Sequence, residues 1–214
     1  MKYPWQLYHW HFEVSGKCTL KCPRCPRTEL KLPWLNQELS LKDFARIFTP
    51  GVLSQIKYLL FCGHTGDPIY AKDFLEIVEY IKQNSQTTIK IVTNGSYKKE
   101  DWWIQLGQLL DHNDSITFSI DGLEDTNNIY RINSNWQKIM ENAQAYINAG
   151  GRARWKFLVF QHNEHQIEQA RELSKQLGFK DFIIEYTSRS WFSGNTWPVK
   201  IDGVFQVFEF WRNA

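Results

Sequence analysis

Trp10-His11-Phe12-Glu13-Val14-Ser15-Gly16-Lys17-Cys18-Thr19-Leu20-Lys21-Cys22-Pro23-Arg24-Cys25 is the stretch on which the fold turns. Its first five residues alternate large apolar with polar side chains, the period of a strand, and Ser15-Gly16 then releases the chain into a loop. Three of the four cysteines fall within eight positions as C-x3-C-x2-C, so three thiolates can converge from one loop on one metal centre. A cubane [4Fe-4S] cluster on Cys18, Cys22 and Cys25 would leave one iron open to a further ligand, whereas a structural zinc site is closed by four ligands. Zinc completed by Cys62, His9, His11 or His64 is the alternative, although no second C-x2-C or H-x3-H pair stands at ribbon or finger spacing. A disulfide between cysteines three or four residues apart on a tight loop would be strained.

Downstream, strand and helix signals alternate. Pro23, Pro26 and Pro33 predict loop as far as Gln37, with Arg24 and Arg27 adding positive charge beside the thiols or simply solvating the loop. Ser40 with Asp43 caps a helix bearing Leu41, Phe44, Ala45 and Phe48 on one face, stopped by Pro50-Gly51. Ile56 to Cys62 reads as a buried strand, and Gly63-His64-Thr65-Gly66-Asp67-Pro68 follows as a glycine-rich turn. Phe74, Ile77, Val78 and Ile81 mark the next helix; Thr88 to Thr93 is a strand closed by Asn94-Gly95; Trp102, Trp103, Leu106, Leu109 and Leu110 mark a third helix. In Ser115 to Ile120 the apolar Ile116, Phe118 and Ile120 alternate with Thr117 and Ser119, which would face a barrel interior, with Asp121-Gly122 at the strand's end. Asp121 reads equally as a turn-forming Asx residue. Ser134 and Gln137 form a capping box for a helix ended by Gly150-Gly151. Trp155 to Phe160 is a strand leading to His162 and to Asn163, the N-cap of a helix carrying Ile167, Ala170, Leu173 and Leu177. Asp181 to Tyr186 is a sixth strand, with Thr187 to Ser190 at its rim.

Six strand-then-helix units joined by right-handed crossovers make a parallel sheet, and six are too few to close an eight-stranded barrel. The expected fold is α/β, an open partial (β/α)6 TIM-type barrel over residues 1-190, with 191-214 a short strand or helix sealing or flanking it. Chemistry in such sheets gathers beyond the carboxyl ends of the strands, where each motif above falls.

Composition bounds the function. The 214 residues are 43% hydrophobic and 22% charged, and a net charge of +2 argues against a strong nucleic-acid-binding field. Ten tryptophans suit a bulky core better than an aromatic cleft. No run approaches the ~18 apolar residues of a membrane span, and Met1 to Trp10 lacks a signal peptide's apolar core. Free clustered thiols fit the reducing cytoplasm.

The cysteine loop resembles the signature of the radical S-adenosylmethionine (SAM) superfamily. That resemblance implies a [4Fe-4S] cluster on Cys18, Cys22 and Cys25 whose open iron chelates SAM, and one-electron cleavage to methionine and a 5′-deoxyadenosyl radical that takes hydrogen from substrate. Gly63, Gly66 and Asp67 stand where the family's GGE motif grips the SAM amino group, with Asp67 in place of the commoner glutamate. Thr93-Asn94-Gly95 is similar to a triplet of the SPASM and molybdenum-cofactor-synthesis branches. Ser119 and Asp121 match a Ser-x-Asp-Gly that reaches the SAM ribose and carboxylate, and Arg131 matches an arginine paired with that carboxylate. The resemblance covers roughly residues 10 to 190. No cysteine follows Cys62, so the chain looks like a core with one cluster, lacking the auxiliary-cluster domain. It further implies a substrate that is often a peptide and a flavodoxin- or ferredoxin-type electron donor. Glycyl-radical activating enzymes and carboxy-deazaguanine synthases are of similar length and remain alternatives. A non-catalytic iron–sulfur or zinc module, of another class, would keep the cysteines without needing Gly63, Gly66, Ser119 and Arg131.

Overall fold

A computed structural model describes residues 9–23, 25–30 and 35–186, and the backbone of 196–201 and 204–209. Six parallel strands, β1 (His9–Phe12), β2 (Tyr58–Cys62), β3 (Thr88–Thr93), β4 (Ser115–Ser119), β5 (Ala153–Val159) and β6 (Asp181–Tyr186), pair in sequence order. β1 and β6 are the two edges of this sheet, so the barrel is open as expected. Sequence order is what right-handed crossovers of similar length produce, each laying a helix on the same face.

Alternation along the strands decides which face is which. Leu59 and Phe61, Ile89 and Ile91, Ile116 and Phe118, and Trp155 and Phe157 are fully buried on the helix side. The intervening Cys62, Val92, Ser119, Lys156 and Leu158 turn to the concave side and line a cavity. The helices α4 (Phe74–Asn84), α5 (Glu100–Leu109), α7 (Trp136–Asn148) and α8 (Ile167–Gln176) cover the apolar face. Among the described residues, Trp103 and Trp155 are wholly buried, Trp10, Trp102 and Trp136 pack partly buried against the core, and the Trp155 indole N–H donates to the Ile120 carbonyl at 2.9 Å.

Four local expectations are corrected. Pro26 does not bar a helix; it opens the short α1 (Pro26–Glu29) at its first position, where a missing N–H costs nothing. The first long helix, α2 (Leu41–Ile47), starts at Ser40, whose hydroxyl accepts from Asp43 N at 3.2 Å, but Pro50 then opens another turn, α3 (Pro50–Leu53), capped by Thr49. α7 is capped by Asn135, which accepts from Lys138 N at 2.9 Å, one residue after the predicted Ser134. Ser134 instead accepts from Asn127 Nδ2 at 3.0 Å, holding the first residue of α6 (Asn127–Tyr130). Asn163 is followed by a 3-10 turn and does not cap α8 through its side chain.

Beyond β6, backbone pairing defines an antiparallel hairpin of β7 (Thr196–Ile201) and β8 (Val204–Glu209). The predicted rim at Thr187 to Ser190, Arg24 and Pro33 lie outside the described residues. Among the described residues, no helix is long and apolar enough to cross a membrane.

Candidate functional site

The three loop cysteines are free and reach one cavity at the carboxyl ends of the strands, together with Gly63, Gly66, Asp67, Ser119 and Arg131. Of the predicted site residues, Asp121 alone stands behind that lining. Leu20, Cys22, Tyr130 and Phe160 form an apolar wall against which Cys18, Cys25 and Leu158 pack. The loop is shaped by its own backbone. Cys25 N donates to Cys22 O at 3.1 Å, Cys25 leads into α1, and Leu20 N approaches the Cys18 sulfur at 3.4 Å. Arg27 neither faces the thiols nor waves in solvent. Its guanidinium donates to the Gly16 carbonyl and, at 2.8 Å, to Asn36 Oδ1, tying α1 back onto the loop.

Burial pushes the Cys18 thiol up to about 12, helped by Asp67, and the Cys22 thiol up to about 11 against the pull of Arg131. Such thiols lose their protons when a cationic metal group takes the protons' place. Among the described residues no three His, Cys, Asp or Glu side chains converge on a single-ion position. The three thiols share one cavity, where a cubane held by three thiolates would keep one iron open and a structural zinc would take four ligands. His64 and Cys62 also line the cavity, and His11 Nε2 is 2.6 Å from the Cys62 carbonyl oxygen.

The glycine-rich turn is held by its own chain. A Cβ on Gly63 would overlap the Gly66 carbonyl, and one on Gly66 would overlap the Ser15 carbonyl. Gly63 therefore allows the turn after β2 to fold tightly on itself and Gly66 allows it to touch the loop after β1, reasons distinct from close approach to a ligand. Glu13, unremarked in the sequence, clamps the same turn: its carboxylate accepts from His64 N at 2.7 Å, Thr65 N at 3.3 Å and Thr65 Oγ1 at 3.2 Å.

Asp67 and Asp121 are buried and their oxygens are engaged within the protein. Asp67 Oδ2 accepts from Asn94 N and Asn94 Nδ2, both at 2.7 Å, and from Thr93 Oγ1 at 3.1 Å; Oδ1 accepts from Ile69 N at 3.3 Å. Burial raises its carboxyl to about 6, these donors opposing the rise. Asn94 Nδ2 also lies 3.5 Å from the Cys18 sulfur, so Asp67, Asn94 and the cysteine loop form one linked unit. Asp121 Oδ2 accepts from Arg131 Nε at 2.6 Å and Oδ1 from Leu158 N at 2.8 Å. This buried carboxylate holds Arg131 by Nε where Arg131 lines the cavity. Asn163, predicted as a cap, bridges β4 to β5 by donating to Asp121 O at 2.9 Å and Leu158 O at 3.0 Å. His162 stands outside the cavity, stacked on Phe160 at 5.2 Å.

Asn94, Tyr130, Leu158, Lys156 and Glu185 complete the lining. Lys156 and Glu185 pair at 3.1 Å across β5 and β6. Alternation along β5, with Trp155, Phe157 and Val159 buried, was the signal that would have turned Lys156 and Leu158 inward.

The sequence pattern of the radical SAM superfamily matches residues 12–174, well over half of the chain. No curated protein matches. Among solved structures, SuiB of Streptococcus suis bound to S-adenosylmethionine superposes with a TM-score of 0.65 at 18% identity, over 88% of this chain and 41% of SuiB. The same enzyme has been solved with its precursor peptide SuiA. anSMEcpe with bound AdoMet and a peptide gives 0.64 at 17% identity, over 87% of this chain and 54% of that protein. Methylornithine synthase (PylB) gives 0.60 at 13%, over 84% and 53% respectively. The chain thus spans about half the length, or less, of these neighbours.

Proposed function

The chain belongs to the radical SAM superfamily, and on that premise we propose that it holds a [4Fe-4S] cluster on Cys18, Cys22 and Cys25 and cleaves SAM reductively. One observation carries this reading: the three free thiols share a cavity with Gly63, Gly66, Ser119 and Arg131 at the carboxyl ends of the strands. When bound, a cluster held by Cys18, Cys22 and Cys25 would supply the single electron that cleaves SAM to methionine and a 5′-deoxyadenosyl radical able to take a hydrogen atom from substrate.

The chain's residues do the holding. Arg131, aimed by Asp121, offers two guanidinium nitrogens to a carboxylate. Ser119 presents a hydroxyl from the concave face of β4 to the SAM ribose. The turn at Gly63 and Gly66 offers backbone groups to the SAM amino group, and Glu13 and Asp67 keep that turn rigid. Asp67 acts by positioning, since its oxygens are taken by Asn94, Thr93 and Ile69. The apolar wall of Leu20, Tyr130, Phe160 and Leu158 keeps water from the cysteine side.

A peptide is the proposed substrate. The neighbours SuiB and anSMEcpe were solved with peptides, and the open barrel leaves a polar concave face on which Lys156 and Glu185 meet an extended chain. A reducing compartment such as the cytoplasm is the proposed location, a reading that clustered thiols support.

The test is anaerobic reconstitution with iron and sulfide, then dithionite and SAM, counting 5′-deoxyadenosine and methionine by mass spectrometry. The expected product disappears in Cys18→Ala, Cys22→Ala and Cys25→Ala. Binding of zinc with no cluster would overturn the reading.

A further inference from the structure

Asn94 follows β3 directly and is buried beside the cysteine loop. Its side-chain amide is fixed from both ends. Oδ1 accepts from Ser96 N at 2.9 Å and from the Ser96 hydroxyl, so the nitrogen, not the oxygen, is the end that meets Cys18. Nδ2 carries two hydrogens and finds two acceptors, Asp67 Oδ2 at 2.7 Å and the Cys18 sulfur at 3.5 Å. Asp67 holds the backbone of the same residue as well, accepting from Asn94 N at 2.7 Å. The amide therefore cannot turn without breaking bonds at both ends. Gly95 lets the chain leave this knot: it sits at φ 71°, and a Cβ there would overlap the Phe118 ring.

Sulfur is a weak acceptor as a thiol and a much better one as a thiolate, since hydrogen bonds to ionised groups are the strong ones. A donor locked on Cys18 thus suits the deprotonated sulfur that ligates a metal group. Leu20 N approaches the same sulfur at 3.4 Å from within the loop, so Cys18 is met from two sides. Reduction of a thiolate-held cluster adds negative charge that its sulfurs share, and N–H donors at those sulfurs stabilise the added charge. Asp67 is a buried carboxylate whose charge bears on Cys18 and would oppose the incoming electron. The Asn94 amide is bonded to both groups and offsets that opposition.

We infer that Asn94, locked by Asp67, donates its second amide hydrogen to the Cys18 thiolate of the loaded protein and raises the reduction potential of the group held by Cys18, Cys22 and Cys25. The inference rests on the cluster reading above. Asn94 acts on a ligand sulfur, and Asp67 is a positioning residue that acts through Asn94.

The test is a potentiometric titration of the reconstituted protein without SAM, followed by the paramagnetic signal of the reduced cluster. Asn94→Ala should favour the oxidised form about tenfold, the upper end of one hydrogen bond's net worth, which is about 59 mV for a one-electron couple. Asn94→Ser, which can still bond Asp67 but ends one bond short of Nδ2, should shift the potential in the same direction with a urea midpoint nearer to wild type. Thr93→Val removes another donor to Asp67 and nothing from the sulfur, so it should lower the urea midpoint and leave the potential alone. Wild-type potentials in both Asn94 variants would overturn the inference. A shift in Thr93→Val as large as that in Asn94→Ala would trace the effect to loosened packing and overturn it too. So would SAM affinity lost at an unchanged potential, which would assign Asn94 to SAM, or cluster assembly lost in both Asn94 variants at wild-type stability, which would make Asn94 an assembly residue. If the wild type assembles no cluster, the cluster reading fails and this inference fails with it; if it does and the Asn94 variants titrate as wild type, only the role of Asn94 is lost.

Discussion

The two ends of the sheet use buried aspartate in opposite ways. At the amino ends, Asp114 is wholly buried and closed on itself: Oδ1 accepts from Ile89 N at 2.6 Å, Oδ2 from Asp111 N at 2.9 Å, and Lys82 Nζ completes it at 2.9 Å. Nearby, Thr87 Oγ1 lies 3.0 Å from the carbonyls of both Leu53 and Ile56. The carboxylate of Asp114 is answered on both oxygens, and the result is a seam between β3, β4 and α4. At the carboxyl ends, Asp67 and Asp121 are as deeply buried, yet each holds a group that itself faces a cavity, Asn94 in one case and Arg131 in the other. The difference teaches that burial and hydrogen bonding alone do not separate stability from function. What separates them is whether the chain of contacts ends within the protein or at an open wall.

Four experiments can break or sharpen this contrast. The largest effect is expected at the cysteine loop. Cys22→Ala should abolish the visible absorbance of the reconstituted cluster and all 5′-deoxyadenosine, while the urea midpoint of the cluster-free protein moves little because the loop's backbone bonds survive. A large loss of stability would mean that the carboxyl rim, like the amino rim, is built for folding.

Next comes the seam itself. Asp114→Ala strands Lys82 and the Ile89 amide and should cost about 3 kcal/mol in urea denaturation, the scale of a broken buried pair. SAM affinity of the folded fraction should be unchanged. A drop in SAM affinity would erase the distinction between the two ends.

Asp121→Asn keeps the shape of the carboxyl rim but removes the charge that aims Arg131. SAM binding by calorimetry should weaken about tenfold, the size of a lost charge-assisted hydrogen bond. Stability lost with SAM affinity intact would assign Asp121 to the core alone.

The smallest effect is a pH dependence at the amino ends. Lys82 holds the Asp111 carboxyl below its usual range by their 2.5 Å hydrogen bond. A carboxylate whose pKa is lower in the folded state adds stability above its unfolded pKa and loses it as pH falls through the folded value. Asp111 is partly exposed, so the gain is no more than about 0.5 kcal/mol. Asp111→Asn should remove that small acid-side slope from the urea midpoint as pH falls below about 4, the ordinary carboxylate pKa. An unchanged slope would show that Asp111 contributes nothing to the seam.

Much of the fold was legible because its signals are local. β3 and β6 fall on the predicted residues, since a half-buried strand writes its alternation into consecutive positions. Cap positions slipped where neighbouring residues share capping chemistry, as with Ser134 and Asn135, and where a proline that ends one helix can open the next, as at Pro50. In the site, Gly63, Gly66, Ser119 and Arg131 do meet the three cysteines at one cavity. Lys156 and Glu185 were passed over because, read singly, a charged residue on a strand near an open edge looks like ordinary surface.

Sequence by itself determined the parallel α/β order, the spacing that lets three thiols serve one centre, and the placement of each motif after a strand. These depend on neighbours along the chain. Tertiary structure alone decided what the gathered groups do: that Asp67 is consumed by Asn94, that Asp121 stands behind Arg131, that Gly66 lets the loops after β1 and β2 touch, and that the Tyr70 hydroxyl bonds to Thr19 of the cysteine loop while its ring stacks on Tyr97. A hydrogen-bonding group has no fixed role until folding sets which partner removes it from water, and the partners here come from other crossovers.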